Sequence, residues 1–421
     1  MEPIYYVFFV GLIIFAAHFF TALFEKTRIP DVLPLIFIGI LIGPMFEIIP
    51  LDVFGEVGTI FSTVALALML FEGGSHLSID TLQKSLKDSL IITISTFILT
   101  ILSTAIISYY ILNFGVGASL FIGATLGSIS PAVVVPIVRM LKLSENTKST
   151  LVIETAITDV LSIIFALGII RGIQGGHGTF MEFIGTTLIA SIAMSIVLGF
   201  SGAVVWSTIL EKIRKFPNTI FTSLAFLFLL YGLSDILGYS GPISVLIFGI
   251  VLANSKKIPL GIVNKFGADH LTEFTSIEKT LFSEVLFLVK TFFFIYLGMS
   301  IQFSNFRILI ISIVITILIY TGRLILCKLL LSKEISTKEA AMISFIIPKG
   351  LAAAVLAEVP THMISKIDNP ILYSTFDEIR SVIYMVILLS ILLTALLIYT
   401  QETGITKSKY NSFFSKFKIL D

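Results

Sequence analysis

The sequence predicts an all-α polytopic membrane protein of about thirteen transmembrane helices. Of its 421 residues, 56% are hydrophobic and only 13% are charged, with a mean hydropathy of +1.03. A water-facing surface on a chain of this size needs more charge than that. Apolar runs of membrane-crossing length recur from end to end, separated by short polar loops. The alternating segments of about ten residues that mark a transmembrane β-barrel are absent.

Spans are expected at about 4–24, 32–49, 57–73, 88–112, 116–140, 149–171, 183–207, 217–233, 240–254, 280–300, 306–331, 337–359 and 380–400. The first follows Met1-Glu2-Pro3, which lacks the basic stretch of a signal peptide, so it reads as a retained helix. Pro131 and Pro136 interrupt the fifth span and Pro348 the twelfth. The stretch 257–279, with Lys265, Asp269, Glu273 and Glu278, reads as a cytoplasmic, partly helical connection. Residues 1–401 are expected to form one transmembrane unit and 402–421 a short tail, with no room for a nucleotide-binding module.

Charge sets the expected direction. Twenty-one Lys and Arg residues fall in loops on one side, against Arg171, Arg307, Lys366 and Arg380 on the other. By the positive-inside rule the C-terminus is cytoplasmic, and an odd number of spans puts the N-terminus outside. Cys327 is the only cysteine, so no intrachain disulfide and no cysteine metal cluster can form.

The sixth span carries the chemistry. Glu154-Thr155-Ala156-Ile157-Thr158-Asp159-Val160-Leu161-Ser162 places two carboxylates inside an apolar run. An ionisable group at mid-helix costs about 2.5–3.5 kcal/mol on insertion scales, so it faces a partner or a water-filled cavity. Thr155, Thr158, Asp159 and Ser162 share one helical face, with Glu154 on its shoulder. That is a stripe of hard oxygen ligands.

Three cations also fall within spans: Lys290, read as snorkelling from near a helix end, Arg323 and Lys349. The last two call for the anions of span six. Gly127-Ser128-Ile129-Ser130-Pro131 and Ile347-Pro348-Lys349-Gly350 break two helices that lie seven spans apart and so run in opposite directions. Proline frees carbonyls at a depth where they are tolerated only inside protein or beside a cavity. Such a pair is what inverted-topology repeats with crossing broken helices produce, with half-helix ends meeting at the substrate site.

These residues resemble the monovalent cation/proton antiporter family, on its NhaP and sodium/proton-exchanger branch. The likeness covers almost the whole chain: Leu70-Phe71-Glu72-Gly73-Gly74, Ser130-Pro131, the acidic motif of span six, Arg323, and Pro348-Lys349-Gly350. It implies an NhaA/NhaP-like fold and a homodimer. Scaffold helices fall at about 4–73 and 183–300, and a moving core at about 88–171 and 306–400. It also implies that Asp159 alternately binds a proton or a cation (sodium or lithium) and that Glu154 and Arg323 form a buried structural ion pair. Lys349 stands where the family has arginine, as an electrostatic tuner. Two departures matter: Ile129-Ser130-Pro131 replaces Thr-Asp-Pro, and Thr158 replaces an asparagine. Ser128, Ser130, Thr155, Thr158 and Ser162 remain as oxygen donors around Asp159.

A hard monovalent cation wants several oxygens, and a proton and a cation cannot share one carboxylate. The expected function is therefore sodium/proton antiport by alternating access across the plasma membrane. With one exchangeable charge it is electroneutral, with no cofactor and no nucleic-acid partner. A potassium/proton antiporter or potassium efflux system on the same fold is the nearest alternative. An intramembrane enzyme is disfavoured because Glu154 and Asp159 project about 140° apart on a helix. A channel is disfavoured by the paired breaks around a single central carboxylate.

Other polar residues receive ordinary readings. Glu72 caps its helix at the interface, Asp235 and Ser240-Gly241-Pro242 form an external loop, and Trp206 and Tyr239 belong to an interfacial belt. His18 is a packing or interface residue, and His76, His177, His270 and His362 lie in loops without metal-ligand spacing.

Overall fold

The computed structural model describes residues 3–27, 32–48, 55–75, 79–174, 189–216, 221–258, 274–301, 306–332, 335–364, 370–405, 410 and 412–414. Among them backbone hydrogen bonds close almost entirely within helices, as an apolar medium requires. The helices are α1 Pro3–Thr27, α2 Val32–Ile40 (ending in a π turn, Leu41–Met45), α3 Gly55–Ser75, α4 Ile79–Ile111 and α5 Val116–Leu126. There follow α6 Pro131–Met140, α7 Glu145–Gln174, α8 Ile189–Ile213, α9 Thr222–Ile236 and α10 Gly241–Ala253. The last five are α11 Ser276–Met299, α12 Phe306–Leu330, α13 Thr337–Phe345, α14 Leu351–Ile364 and α15 Pro370–Glu402. Among the described residues seven stretches are long and apolar enough to cross a membrane, accompanied by shorter apolar helices. The fifth and twelfth predicted spans are each two helices, α5 with α6 and α13 with α14.

The chain divides into two compact units. One comprises Met1–Thr59, Lys87–Ala166 and Lys290–Asp421, and the other Ile60–Leu86 and Leu167–Val289. In the first unit α2 and α11 meet backbone to backbone. A Cβ on Gly39 would lie 2.1 Å from the Ile295 carbonyl, and one on Gly298 would lie 2.1 Å from the Ile36 carbonyl. Only hydrogen at both positions permits this approach, the small-residue packing that substitutes for hydrophobic drive between membrane helices.

The second unit is held by an aromatic cluster. Phe71 of α3 packs on Phe248 of α10 at 5.6 Å and on Phe282 of α11 at 4.8 Å. At its polar end Arg214 grips Glu278 through two bonds of 2.6 and 3.3 Å, while Thr275 N–H and Oγ1–H donate to the same carboxylate. Ser240 caps α10, and Asp235 accepts the Gly241 N–H at 3.0 Å, making this a tight helix–helix turn.

Several expectations need correcting. Trp206 is buried, not interfacial: its indole donates to Ser223 Oγ at 3.2 Å and stacks on Phe226 at 4.7 Å. A polar partner within reach lets indole be buried whole. Lys290 lies well inside α11 instead of near its end. Arg380, read as a loop residue, sits within α15, because the helix starts at Pro370 and Asp377 bonds Arg380 one turn away. Most of the connection at 257–279, and His76, His177 and His270, lie outside the described residues, as does the side chain of His362.

Candidate functional site

The candidate site, all within the first unit, is built where two helices stop. After Leu126 the chain leaves the helical path and restarts at Pro131, the first residue of α6, where a missing N–H is no loss. α13 ends at Phe345, and α14 begins at Leu351 after a non-helical passage through Pro348. The two breaks touch. Ser130 N–H donates to the Pro348 carbonyl at 2.8 Å. Gly350 approaches so closely that a Cβ there would lie 2.1 Å from Ser130 Oγ and 2.3 Å from Ser130 Cβ.

α15 and α12 hold the second break in place. Lys349 N–H donates to Ser390 Oγ at 2.9 Å, and Tyr320 O–H donates to the Ser390 carbonyl at 2.7 Å. Thr394 Oγ1–H donates to the Phe345 carbonyl at 3.2 Å, satisfying a group that the end of α13 leaves open.

α7 brings the carboxylates. Asp159 Oδ1 accepts Ser128 Oγ–H at 2.6 Å. Thr158 Oγ1 accepts the Ile129 N–H at 3.1 Å and donates to the Glu154 carbonyl at 2.8 Å, tying the first break to α7. Thr155 Oγ1–H turns back to the Val152 carbonyl at 2.7 Å. Glu154 meets Arg323 of α12 in a bidentate pair of 2.5 and 2.6 Å. Arg323 also donates to Thr96 Oγ1 at 2.6 Å and to the Ile343 carbonyl at 3.2 and 3.3 Å. Glu154 and Arg323 are 1% and 0% exposed, so the pair is fully desolvated and every donor counts.

Asp159 is 3% exposed and makes no ion pair among the described residues, and Lys349 is 0% exposed. The Lys349 ammonium lies within Coulombic reach of Asp159 and Glu154, yet its Nζ has no hydrogen-bond partner among the described residues. Ser130 Oγ and Ser162 Oγ are likewise buried without one. The structure thus gathers Ser128, Ser130, Asp159 and Lys349 at the crossing. It sets Glu154 with Arg323 and gives Thr158 to the scaffolding of the break. Among the described residues no three His, Cys, Asp or Glu side chains converge as a metal cluster would need.

Sequence reasoning passed over the partners that complete this arrangement: Thr96, Tyr320, Ser390 and Thr394. Nothing in their local text marks them, since each acts across to another helix. It also passed over Glu358 of α14, 6% exposed, bonded by Tyr384 and, at 3.4 Å, by Arg380. A carboxylate within Leu351–Val359 was a readable signal there.

Residues 13–399 match the family model described as sodium/hydrogen exchanger, transmembrane. The chain belongs to the sodium/hydrogen exchanger family. Within it, this exchanger is 25% identical over 420 residues to Na(+)/H(+) antiporter 1 of Methanocaldococcus jannaschii, covering 94% of each chain. It is 23% identical over 197 residues to K(+)/H(+) antiporter NhaP2 of Shewanella oneidensis, covering 46% of this chain and 34% of that protein. In fold the exchanger matches the structure of the sodium proton antiporter MjNhaP1 from Methanocaldococcus jannaschii at pH 8. The TM-score is 0.72 at 23% identity, covering 96% of this chain and 99% of that one.

Proposed function

We propose that this exchanger moves sodium or lithium against protons by alternating access, with Asp159 as the carrier of either cargo. One observation carries the reading. Of the two carboxylates on α7, Glu154 is neutralised by Arg323, whereas Asp159 faces a hydroxyl at the crossing of two broken helices. A monovalent cation at Asp159 would draw on Ser128 and Ser130 hydroxyls and on carbonyls at the breaks, with Ser162 one turn along. Thr155 and Thr158 shape the site through their bonds to backbone.

The mechanism follows from one anion with two competitors. A proton on Asp159 removes the charge that holds the cation, and a bound cation disfavours the proton. The other buried charges at the crossing, Glu154, Arg323 and Lys349, stay constant in this scheme, so one cation exchanges for one proton and the cycle is electroneutral. Core helices at about 88–171 and 306–400 carry the site past a scaffold at about 4–73 and 183–300, in a homodimer. The loop asymmetry supports a plasma-membrane exchanger with the N-terminus outside and the C-terminus cytoplasmic. It is a transporter and not an enzyme, and it needs no cofactor.

A potassium/proton antiporter is the second reading, favoured by Ser130, which leaves the first break without a carboxylate. Purified protein in vesicles with an interior pH dye separates the two. Sodium or lithium should drive proton movement and potassium much less, and Asp159→Asn should abolish it. Retained cation-driven proton flux in Asp159→Asn would refute the carrier assignment. Strong dependence of the rate on imposed voltage would refute electroneutrality.

A further inference from the structure

α13 has only nine residues, Thr337–Phe345. A helix that short is not stable by itself, so its end lies where its neighbours hold it. That end matters for the site. Three residues after Phe345, the Pro348 carbonyl takes the Ser130 N–H and joins the two breaks. Two of the holding bonds come from α12 and α15: Arg323 donates to the Ile343 carbonyl and Thr394 to the Phe345 carbonyl, each at 3.2 Å. The buried Phe345 side chain is held by a third element. The ring of Tyr410, from the segment beyond α15, packs edge-on against it with centroids 4.6 Å apart.

That segment is docked by several independent contacts, all within the first unit. Glu402, at the end of α15, pairs with Lys338 in the first turn of α13 at 2.7 Å. The chain then turns at Gly404, whose φ of +81° favours glycine. At Tyr410 it forms a single helical turn, with the Phe414 N–H donating to the Tyr410 carbonyl at 2.8 Å. Phe414 is 0% exposed and packs edge-on against Phe413 at 5.0 Å. Lys328, in the last turn of α12, sets its ammonium 4.2 Å from the centre of the Phe413 ring. Tyr410 meets α13 at its inner end, about 12 Å of helix rise beyond Thr337. These contacts are few beside the thirty-three residues of α15, so the segment can leave without unfolding the membrane part.

We propose that Tyr410–Phe414 is a detachable brace for the cation site. Docked, it fixes the end of α13 and with it the second break; detached, it leaves the site with a lower affinity for sodium or lithium. Tyr410 and Phe414 are positioning residues that act through Phe345 without touching the cation. The proposal rests on Asp159 as carrier. The influence runs both ways by linkage: a bound cation favours the docked segment by the factor with which docking favours the cation. Anything that captures the segment in its detached form therefore inhibits exchange at low sodium.

The test uses the full chain with Tyr410→Ala, Tyr410→Phe and Phe414→Ala. Sodium-driven proton flux in proteoliposomes gives the half-saturating concentration and the maximal rate. Limited trypsin cleavage at Lys409 and Lys416, which flank the brace, reports its release. Both alanine variants should be cleaved faster and should raise the half-saturating sodium concentration about fivefold or more, with the maximal rate within about twofold. Tyr410→Phe keeps the ring and should behave as native. In the native protein, sodium should slow cleavage by a similar factor relative to choline at equal ionic strength. Should Phe414→Ala fail to fold, the two Tyr410 variants carry the test. Unchanged half-saturation in Tyr410→Ala would overturn the proposal, and a lower melting temperature with only the maximal rate reduced would mark a merely structural role and overturn it too. Native cleavage indifferent to sodium would have the same force. The carrier assignment fails differently: sodium protection that persists in Asp159→Asn would sink that assignment and leave docking coupled to sodium.

Discussion

Replacing Arg323 by Ala tests the division of labour between the two carboxylates of α7. The native guanidinium makes two bonds to Glu154, one to Thr96 and two longer ones to the Ile343 carbonyl, all without solvent. Its removal strands a buried carboxylate, a loss of about 3–5 kcal/mol, and also opens a carbonyl near the end of α13. Replacing both partners by apolar residues of similar volume, Arg323→Met with Glu154→Met, removes the stranded charge. Such exchanges of buried pairs are near neutral or stabilising by about 1–4 kcal/mol. Thermal melting in detergent, followed by size exclusion, should therefore show Arg323→Ala far below the native protein and the double variant most of the way back. Vesicle exchange in the double variant should persist, because Asp159 and Ser128 are untouched. Should the double variant melt as low as the single, or fold normally yet carry no cation, the pair is part of the transport chemistry and the reasoning fails.

Gly350→Ala should block the crossing, since its Cβ falls 2.3 Å from Ser130 Cβ; expression and melting should recover on adding Ser130→Gly. Competition at one carboxylate predicts that the half-saturating sodium concentration rises as pH falls, up to tenfold per pH unit while Asp159 is mostly protonated; a flat dependence would exclude simple competition. Gly298→Leu should destabilise by overpacking, typically about 1–3 kcal/mol or more where only backbone can yield, and a native-like melt would deny the α2–α11 contact. Glu358→Gln keeps a partner for Tyr384 and leaves Arg380 with Asp377, so its loss in melting temperature should be well below that of Arg323→Ala.

The membrane class and the two interruptions were legible because hydropathy and proline act locally. Pro131 and Pro348 each remove a donor wherever they stand, and no tertiary context is needed to see it. That buried cations would approach the carboxylates of α7 follows from elementary electrostatics, whereas the particular pairing of Glu154 with Arg323 was legible only through the family resemblance. What hydropathy does not register is direction around a helix. Thr100 and Leu102 differ by two positions, yet one is buried and the other faces outward. The same blindness sent Trp206 to an interfacial belt, since its stacking on Phe226 and its bond to Ser223 join separate helices. Arg380 was misplaced for a different reason. Charges at i and i+3 on one helix neutralise each other, so a charged stretch that reads as a loop continued α15.

Trp206 is the chain's single tryptophan, and its surroundings make it an optical instrument already installed. Emission excited at the indole band comes from one chromophore, shielded by Phe226 and tied to one hydroxyl. Its spectrum therefore reports on the Ile60–Leu86 and Leu167–Val289 unit alone. A red shift on heating or in denaturant would time the opening of that unit. Changes at Asp159 would be followed separately, with no label introduced and no residue replaced.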